Sequence, residues 1–288
     1  MRFAMTALLW LAATVALAVA VPAAWAQLNV IDEGGYAALA QKAAGDPALQ
    51  SAMASELTTR AMALNAERGG GRYPVDSAQV HDAATAFTAG PAFPALFAQL
   101  NRAAHGWLFT DPRPQQDPGQ WVVDVAPMFK DSSFQEVLNR HNVTGPANLT
   151  VPVMVSMPES LRQGKLSRLA TWGPWVSIGA TALSGFCALL TLAAARRRGK
   201  ALTSLGISAL LVGATGWAGI EVGGRYVDNA LNRTTGDVRR VAEVMVGHAE
   251  ASLRQWLDLT LVGGAALVGF GVLVAILGAM LTKSPKST

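Results

Sequence analysis

The residues of this chain whose types could do chemistry are few and stand far apart. The single cysteine, Cys187, lies in the middle of an apolar stretch, where a thiol has little access to reactants. The four histidines are not at metal-ligand spacing from one another, from the cysteine or from a pair of carboxylates. They are His81, His105, His141 and His248. The sequence therefore predicts no metal site and no redox centre.

Two acidic residues and one glycine run are the other candidates for a site. Asp124 is isolated in an apolar strand, which is typical of an edge or turn residue. Glu221 directly follows an apolar stretch, so an interfacial position is favoured over an intramembrane proton or ion site. Gly69–Gly71 precedes Arg72 and not Lys-Ser/Thr, which indicates a flexible loop and not a phosphate loop. Since no nucleophile elbow, Walker loop or distinctive carboxylate pair occurs, we expect no catalytic residue, no cofactor and no enzymatic activity.

Four apolar stretches organise the rest of the chain. Each has 19 to 23 residues and contains no Asp, Glu, Lys or Arg. A helix of that length reaches ~30 Å, the thickness of the hydrocarbon core of a bilayer. The stretches, which we interpret as four transmembrane helices, are Phe3–Val21, Val176–Ala195, Leu202–Ile220 and Leu259–Leu281.

The charged residues divide unequally between the two sides that these helices define. If the N-terminus is cytoplasmic, the inside segments hold seven cations and no acid, whereas the outside segments hold 16 cations and all 19 acids. This bias is the positive-inside signal that orients membrane helices, so the net charge of +4 does not indicate a nucleic-acid partner. The residues expected to determine the topology are those of the basic turn: Arg196, Arg197, Arg198 and Lys200.

The first apolar stretch has two possible interpretations. Ala24-Trp25-Ala26 has the small-x-small form of a signal-peptidase site. The length of the stretch instead favours an uncleaved anchor over residues 1–26. Both interpretations place the following domain on the extracytoplasmic side.

The region between the first and second spans predicts a mostly helical domain with a small β-ribbon, so the fold class is mainly α. Helices are expected from Glu33, from Asp46-Pro47, from Asp76 and from Pro91 or Pro94. The β-branched runs Trp121–Val125 and Leu149–Val155 are expected to pair around a helix at Phe134–Arg140. The expected segments are an anchor or signal peptide (1–26), the extracytoplasmic domain (27–171), the second span (172–196), a basic turn (197–201), the third span (202–222), an extracytoplasmic helical loop (223–256), the fourth span (257–282) and a cytoplasmic tail (283–288).

A narrow apolar stripe runs along the helix expected before the fourth span. Charged residues occupy the other faces of this helix, so the stripe needs a cover. The extracytoplasmic domain of the same chain is one possible cover, and a partner subunit is the other. The residues of this candidate interface are Val238, Val241, Met245, Leu253 and Trp256.

Small residues in the third span allow close approach of another helix. Gly213, Gly216 and Gly219 repeat every third residue, and Gly219 with Gly223 forms a GxxxG step. The neighbouring helix belongs either to the bundle of this chain or to a partner.

Four segments carry a resemblance to a known family. They are Ile31–Arg60, Gly90–Leu108, Val122–Met128 and Leu161–Leu169, and with the order of the spans they cover most of the chain. The chain resembles a family of uncharacterised actinobacterial membrane proteins with one span, a large outside domain and three further spans. The resemblance implies a place in the cell envelope and brings no catalytic residue with it.

These observations predict an integral protein of the plasma membrane with a non-enzymatic role. We expect an envelope accessory or scaffold protein whose extracytoplasmic domain binds another envelope or membrane protein. The alternative is a transport or lipid-handling component. Membrane lipids are expected partners in both cases, and nucleic acid is not.

Overall fold

The fold is mainly α, as the sequence predicts. A computed structural model describes residues 2–67, 76–111, 121–124, 150–153, 164–195, 198–232 and 236–281. The α-helices of these residues are α1 (Arg2–Ala26), α2 (Glu33–Ala43), α3 (Pro47–Glu67), α4 (Ser77–Thr88), α5 (Phe93–Phe109), α6 (Ser167–Ala194), α7 (Arg198–Leu231) and α8 (Gly236–Leu281). A π-helical turn, Gln27–Ile31, follows α1.

Four of these helical segments are long and apolar enough to cross a bilayer. They are Ala4–Ile31, Ser167–Ala194, Arg198–Leu231 and Asp237–Met280. The prediction of four spans is confirmed by length and composition, and the chain is a multi-pass membrane protein. Two of the helices are longer than a span requires, since α7 and α8 contain 34 and 46 residues.

The chain divides into two compact units. The first, the membrane unit, consists of residues 1–28, 171–226 and 250–288. The second, the helical domain, consists of residues 29–170 and 227–249. Both units therefore contain segments that are distant in sequence.

Aspartates begin three helices of the helical domain. The side chain of Asp32 accepts a hydrogen bond from the Gly35 amide, and Asp76 accepts one from the Ala78 amide. Asp46 does the same at the start of α3, where Pro47 occupies the first helical position. Such caps satisfy amides that have no partner within the helix. The expected helix starts at Asp46-Pro47 and Asp76 are confirmed, and α5 begins beside Pro94.

The helices of the domain enclose a core of alanine and large apolar side chains. α2 packs against α5, and α3 packs against α4. Alanines of α2 allow the aromatic residues of the other helices to approach closely. Phe93 meets Phe87 edge-to-face with ring centroids 5.8 Å apart, a favourable arrangement for aromatic rings. The buried core residues are Ala40, Ala43, Ala44, Leu49, Phe87, Phe93 and Phe97.

Two short strands lie in the β-branched runs of the sequence. β1 (Trp121–Asp124) pairs antiparallel with β2 (Thr150–Val153), and Asp124 lies opposite Thr150. The expected loop at Gly69–Gly71 and the expected helix at Phe134–Arg140 lie outside the described residues.

The membrane unit buries many small residues and exposes many large apolar ones. Its buried positions include Ala13, Ala16 and Ala20 of α1 and Cys187 of α6. Large side chains along the same helices are exposed, for example Leu189 at 67%. This distribution is suited to lipid, which solvates apolar side chains as well as a protein interior does.

Candidate functional site

The apolar stripe of the candidate interface is partly covered by the helical domain itself. Val241 and Met245, together with Val244, pack against the core formed by α2 to α5. Val238, at the start of the stripe, is 42% exposed. The domain of the same chain therefore contacts part of the stripe, at Val241 and Met245. Leu253 and Trp256 belong to the membrane unit, where both are half-buried.

A polar pair lies beside this apolar contact. His248 Nε2 lies 3.2 Å from Asp46 Oδ2, while Asp46 Oδ1 accepts a hydrogen bond of 2.8 Å from the Ala48 amide. The Ala48 hydrogen bond lowers the pKa of Asp46 most, and the His248 imidazole lowers that pKa further. Asp46 therefore caps α3 and binds α8 with the same carboxylate. Sequence reasoning found the cap and missed the pair, because the two residues are 202 positions apart.

The buried histidine of the domain is engaged in packing. His105 stacks on Phe109 with centroids 4.1 Å apart and contacts the ring of Tyr36 at 5.3 Å. Its Nε2–H donates to the Val30 carbonyl oxygen, 3.0 Å away in the π-helical turn. Burial raises the pKa of the Tyr36 hydroxyl, which donates to Asn101. These contacts attach the π-helical turn and α2 to α5. The imidazole of His105 therefore has a structural role.

No metal centre is formed by the residues that the structure describes. Among them, no three His, Cys, Asp or Glu side chains are close enough to bind one ion. Cys187 is buried in α6, and His81 is exposed beside Thr58. His141 lies outside the described ranges.

Hydrogen bonds from side chains connect the helices of the membrane unit. Trp10 Nε1 donates to the Ser204 carbonyl oxygen at 2.9 Å. Thr14 Oγ1 lies 2.7 Å from the hydroxyl of Ser208, which is buried. Ser184 donates to the Ala13 carbonyl oxygen at 3.4 Å. α1 is thus joined to both α6 and α7 by polar groups that have no water to bind in a lipid environment.

Glycines spaced by seven residues bring α7 and α8 into close antiparallel contact. A Cβ atom on Gly199 would lie 2.7 Å from the Gly271 carbonyl oxygen, and one on Gly206 would lie 2.7 Å from that of Gly264. At Gly213 the added atom would meet Leu261 at 2.6 Å. Sequence reasoning missed this series, although the spacing of seven was a visible signal for one helix face.

The glycine steps singled out from the sequence behave differently from one another. Added Cβ atoms at Gly213 and Gly216 would collide with Leu261 and Leu257, so close approach is confirmed at these two positions. An added Cβ atom at Gly219 or Gly223 would have no described heavy atom within 4 Å apart from the neighbouring backbone of α7 itself. Of the two possibilities for the GxxxG step, packing within the bundle of this chain is therefore not seen among the described residues.

Within the membrane unit, a polar cluster joins α7 near Trp217 to α8 near Arg254 and Asp258. Trp217 Nε1 donates to Asp258 Oδ1 at 3.1 Å, and the guanidinium of Arg254 lies 5.2 Å from the Trp217 ring centroid. Arg254 also approaches Glu250 at 3.8 Å. Charged side chains paired with one another and with tryptophan are typical of the membrane–water interface. Glu221 is exposed on α7 and does not take part in this cluster.

Two cations of the expected basic turn, Arg198 and Lys200, belong to the first turn of α7, next to a groove. Arg198 is the first residue of α7, and Lys200 lines a groove of about 450 Å³ between α7 and α8. Both side chains are exposed. Arg196 and Arg197 lie outside the described residues.

No known family, no curated protein and no solved structure matches this chain. The resemblance to actinobacterial membrane proteins therefore stays a prediction.

Proposed function

We propose that this chain is a non-enzymatic accessory or scaffold protein of the plasma membrane. In this proposal the helical domain is extracytoplasmic and binds another envelope or membrane protein. The supporting observation is connectivity, since the domain joins the membrane unit at four points of the chain: 28/29, 170/171, 226/227 and 249/250. A folded body tethered to all four spans stays at the membrane, as an organising role requires.

The distribution of charge supports the extracytoplasmic position of the domain. The segment from Arg196 to Lys200 holds four cations without an acid, whereas every acid of the chain lies in the segments assigned to the other side. Positive charge in short loops is retained in the cytoplasm during insertion. The domain is therefore expected on the opposite side of the membrane from Lys200.

The packing of the stripe limits where a partner can bind. Val241 and Met245 contact the core of their own domain and are partly buried there, so less of their surface is offered to another protein. Val238 remains accessible at the start of the same stripe, and Leu64 on α3 is 46% exposed. We take these two side chains as the apolar contacts offered to a partner.

The test is photo-crosslinking of the full-length protein in native membranes. A crosslinking amino acid is placed at Val238, at Leu64 or at Arg102, which is exposed on α5, and a control is placed at the lipid-facing Leu189. We expect one discrete protein adduct from the domain positions and only lipid adducts from Leu189. If no domain position produces a protein adduct, the scaffold proposal is refuted.

Sidedness has a separate test. In a Cys187→Ala background, Ser51→Cys and Lys200→Cys each introduce one exposed thiol. A membrane-impermeant maleimide should label intact cells at position 51 and not at position 200. The reverse pattern would invert the proposed topology, while the scaffold role would still be tested by the crosslinking.

A second candidate, a transport or lipid-handling component, is favoured by the groove beside Lys200. Its volume is in the range of small-molecule sites, and most of its lining is apolar. The protein is reconstituted in vesicles that contain a fluorescent phospholipid, and movement of the lipid between leaflets is measured. A rate equal to that of empty vesicles would exclude this candidate.

A further inference from the structure

We propose that the groove between α7 and α8 binds one anionic phospholipid, with the phosphate at Lys200 and an acyl chain along the groove. This site goes beyond the scaffold role, and neither proposal requires the other. The shape of the groove, the charge at its end and the donors in its wall support this site.

The shape of the groove suits an acyl chain. Its α7 wall carries Lys200, Thr203 and Ile207, and its α8 wall includes Val272 and Ile276. The α7 wall extends from residue 200 to residue 207, which is about 10 Å at a rise of 1.5 Å per residue. That length accommodates one segment of a lipid tail.

The two helices are in close contact next to the groove. A Cβ atom on Gly199 would lie 2.7 Å from the Ala275 amide nitrogen, and one on Gly271 would lie 2.5 Å from Thr203 Oγ1. The backbones therefore come close together next to Thr203 and Ala275, two residues that line the groove.

The charge at the end of the groove is positive and uncompensated within the described chain. Lys200 is exposed, and no described carboxylate forms an ion pair with it. α7 has no acid in its first turn, although an acid is the favoured charge at a helix N-terminus. No Asp or Glu occurs between Glu159 and Glu221 or after Asp258. A phosphate would supply the missing negative charge to Lys200.

The hydroxyl groups of the wall are already engaged. Thr203 Oγ1 donates to the Gly199 carbonyl oxygen, and Ser204 Oγ donates to that of Ala201. Lys200 is therefore the donor of the groove that remains for a headgroup. A single ammonium recognises negative charge and not the identity of the headgroup. The ligand class is anionic phospholipid in general, and basic pockets between spans are suited to such headgroups.

The test uses the full-length protein in nanodiscs of equimolar phosphatidylglycerol and phosphatidylcholine. After transfer to mild detergent, native mass spectrometry counts the lipids that remain bound. We expect one phosphatidylglycerol on the unaltered protein and on Lys200→Arg. Lys200→Gln should reduce its retention about fivefold, the effect of roughly one charge at a membrane surface.

Two matched controls separate a site from general surface charge and from altered packing. Arg198→Gln removes the same charge from the same helix end outside the groove, and it should reduce retention less than Lys200→Gln. Ala279→Phe fills the end of the groove and should abolish retention, whereas Met280→Phe adds an aromatic ring at a residue that is 67% exposed and should not.

Three results would overturn the inference. One is equal retention of the two lipids by the unaltered protein. Another is an equal loss with Lys200→Gln and Arg198→Gln, which would indicate general surface charge only. The third is a lipid-free dimer, which would make a second copy of the chain the occupant. Because the two charge variants leave the groove unfilled, the result does not depend on the stability of Ala279→Phe.

Discussion

The helical domain and the membrane unit differ in the residue types through which their helices pack. In the domain, the large aromatic side chains of Phe87, Phe93 and Phe97 are buried. In the membrane unit, the closest contacts are made by glycines such as Gly199 and Gly206, while large apolar side chains such as Leu189 are exposed. Both units are helical, and it is the location of the large residues that differs.

The difference follows from the solvent that each unit is suited to. Water drives large apolar side chains together, so a domain in water is stabilised by burying them. Lipid provides no such drive, and helices in a bilayer associate through close backbone contact and hydrogen bonds. The hydrogen bonds that Trp10 and Thr14 of α1 make to α7 are an example of such association.

The largest expected effect is loss of an aromatic residue from the domain core. Phe93→Ala removes a side chain that is 3% exposed and that contacts Phe87 and Phe97. We expect the free energy of unfolding of the domain to fall by about 3–5 kcal/mol. The rate of proteolysis of the full-length protein under native conditions measures this change. Leu100→Ala, at an exposed position of the same helix, should change the rate little.

A charge placed in the stripe tests whether the stripe is internal. Val241→Asp puts a carboxylate against the core of the domain and should destabilise the domain by about 2 kcal/mol or more. Val238→Asp, at an exposed position of the same stripe, should leave the thermal midpoint nearly unchanged. Equal effects of the two variants would mean that the domain does not cover the stripe.

A bulky residue at a helix contact tests the packing of the membrane unit. Gly206→Leu would place atoms where the Gly264 carbonyl oxygen and Val268 now lie, and we expect a loss of about 1–3 kcal/mol. Gly219→Leu is the matched control, since no described atom lies within 4 Å of a Cβ there. Thermal aggregation in mild detergent measures both variants. A control as unstable as Gly206→Leu would contradict the proposed helix register.

Removal of one interhelical hydrogen bond should have a smaller effect. Thr14→Val keeps the shape of the side chain and removes its contact with the Ser208 hydroxyl. Hydrogen bonds between membrane helices contribute about 0.6 kcal/mol on average, so a slight lowering of the same aggregation midpoint is expected. Thr181→Val, whose hydroxyl donates within its own helix to Ser177, provides the comparison.

The smallest expected effect is the pH dependence of the contact between Asp46 and His248. The pKa of Asp46 is lowered below its ordinary value of 3.8 by the Ala48 amide and then by His248. The ionised carboxylate therefore stabilises the folded domain above that value, and this contribution is lost as the pH falls through the lowered pKa.

Asp46→Asn measures this contribution, because asparagine still caps a helix without a charge. The thermal midpoints of the unaltered protein and the variant should differ above pH 3.8 and converge as the pH falls below it. A difference that stays constant with pH would show that the charge of Asp46 contributes nothing to stability.

Local patterns in the sequence were sufficient to predict much of the fold. Spans depend on the composition of 20 or so consecutive residues, and caps such as Asp76 depend on the few residues that follow them. From the sequence, the cover of the stripe could be either the domain of the same chain or a partner subunit. Nothing local to Val241 indicates whether it packs against the core of its own domain or against a partner chain.

The glycines show where such prediction fails. Gly219 and Gly223 form the familiar GxxxG step, yet the contact with α8 is made through Gly199, Gly206 and Gly213. Both sets allow close approach. Which set is used depends on the rotation of α7 about its axis, and packing against the other helices of the unit sets that rotation.

The sequence by itself determined the number of spans, the mainly helical fold and the imbalance of charge between the loops, because these properties depend on composition along the chain. Three features were decided by the tertiary structure alone. His248 contacts Asp46, and Val241 and Met245 of the stripe pack against the core of their own domain. A groove also lies beside Lys200. Each of these features joins residues that are distant in sequence. Their proximity depends on the helix faces that meet in the fold, and no local pattern specifies them.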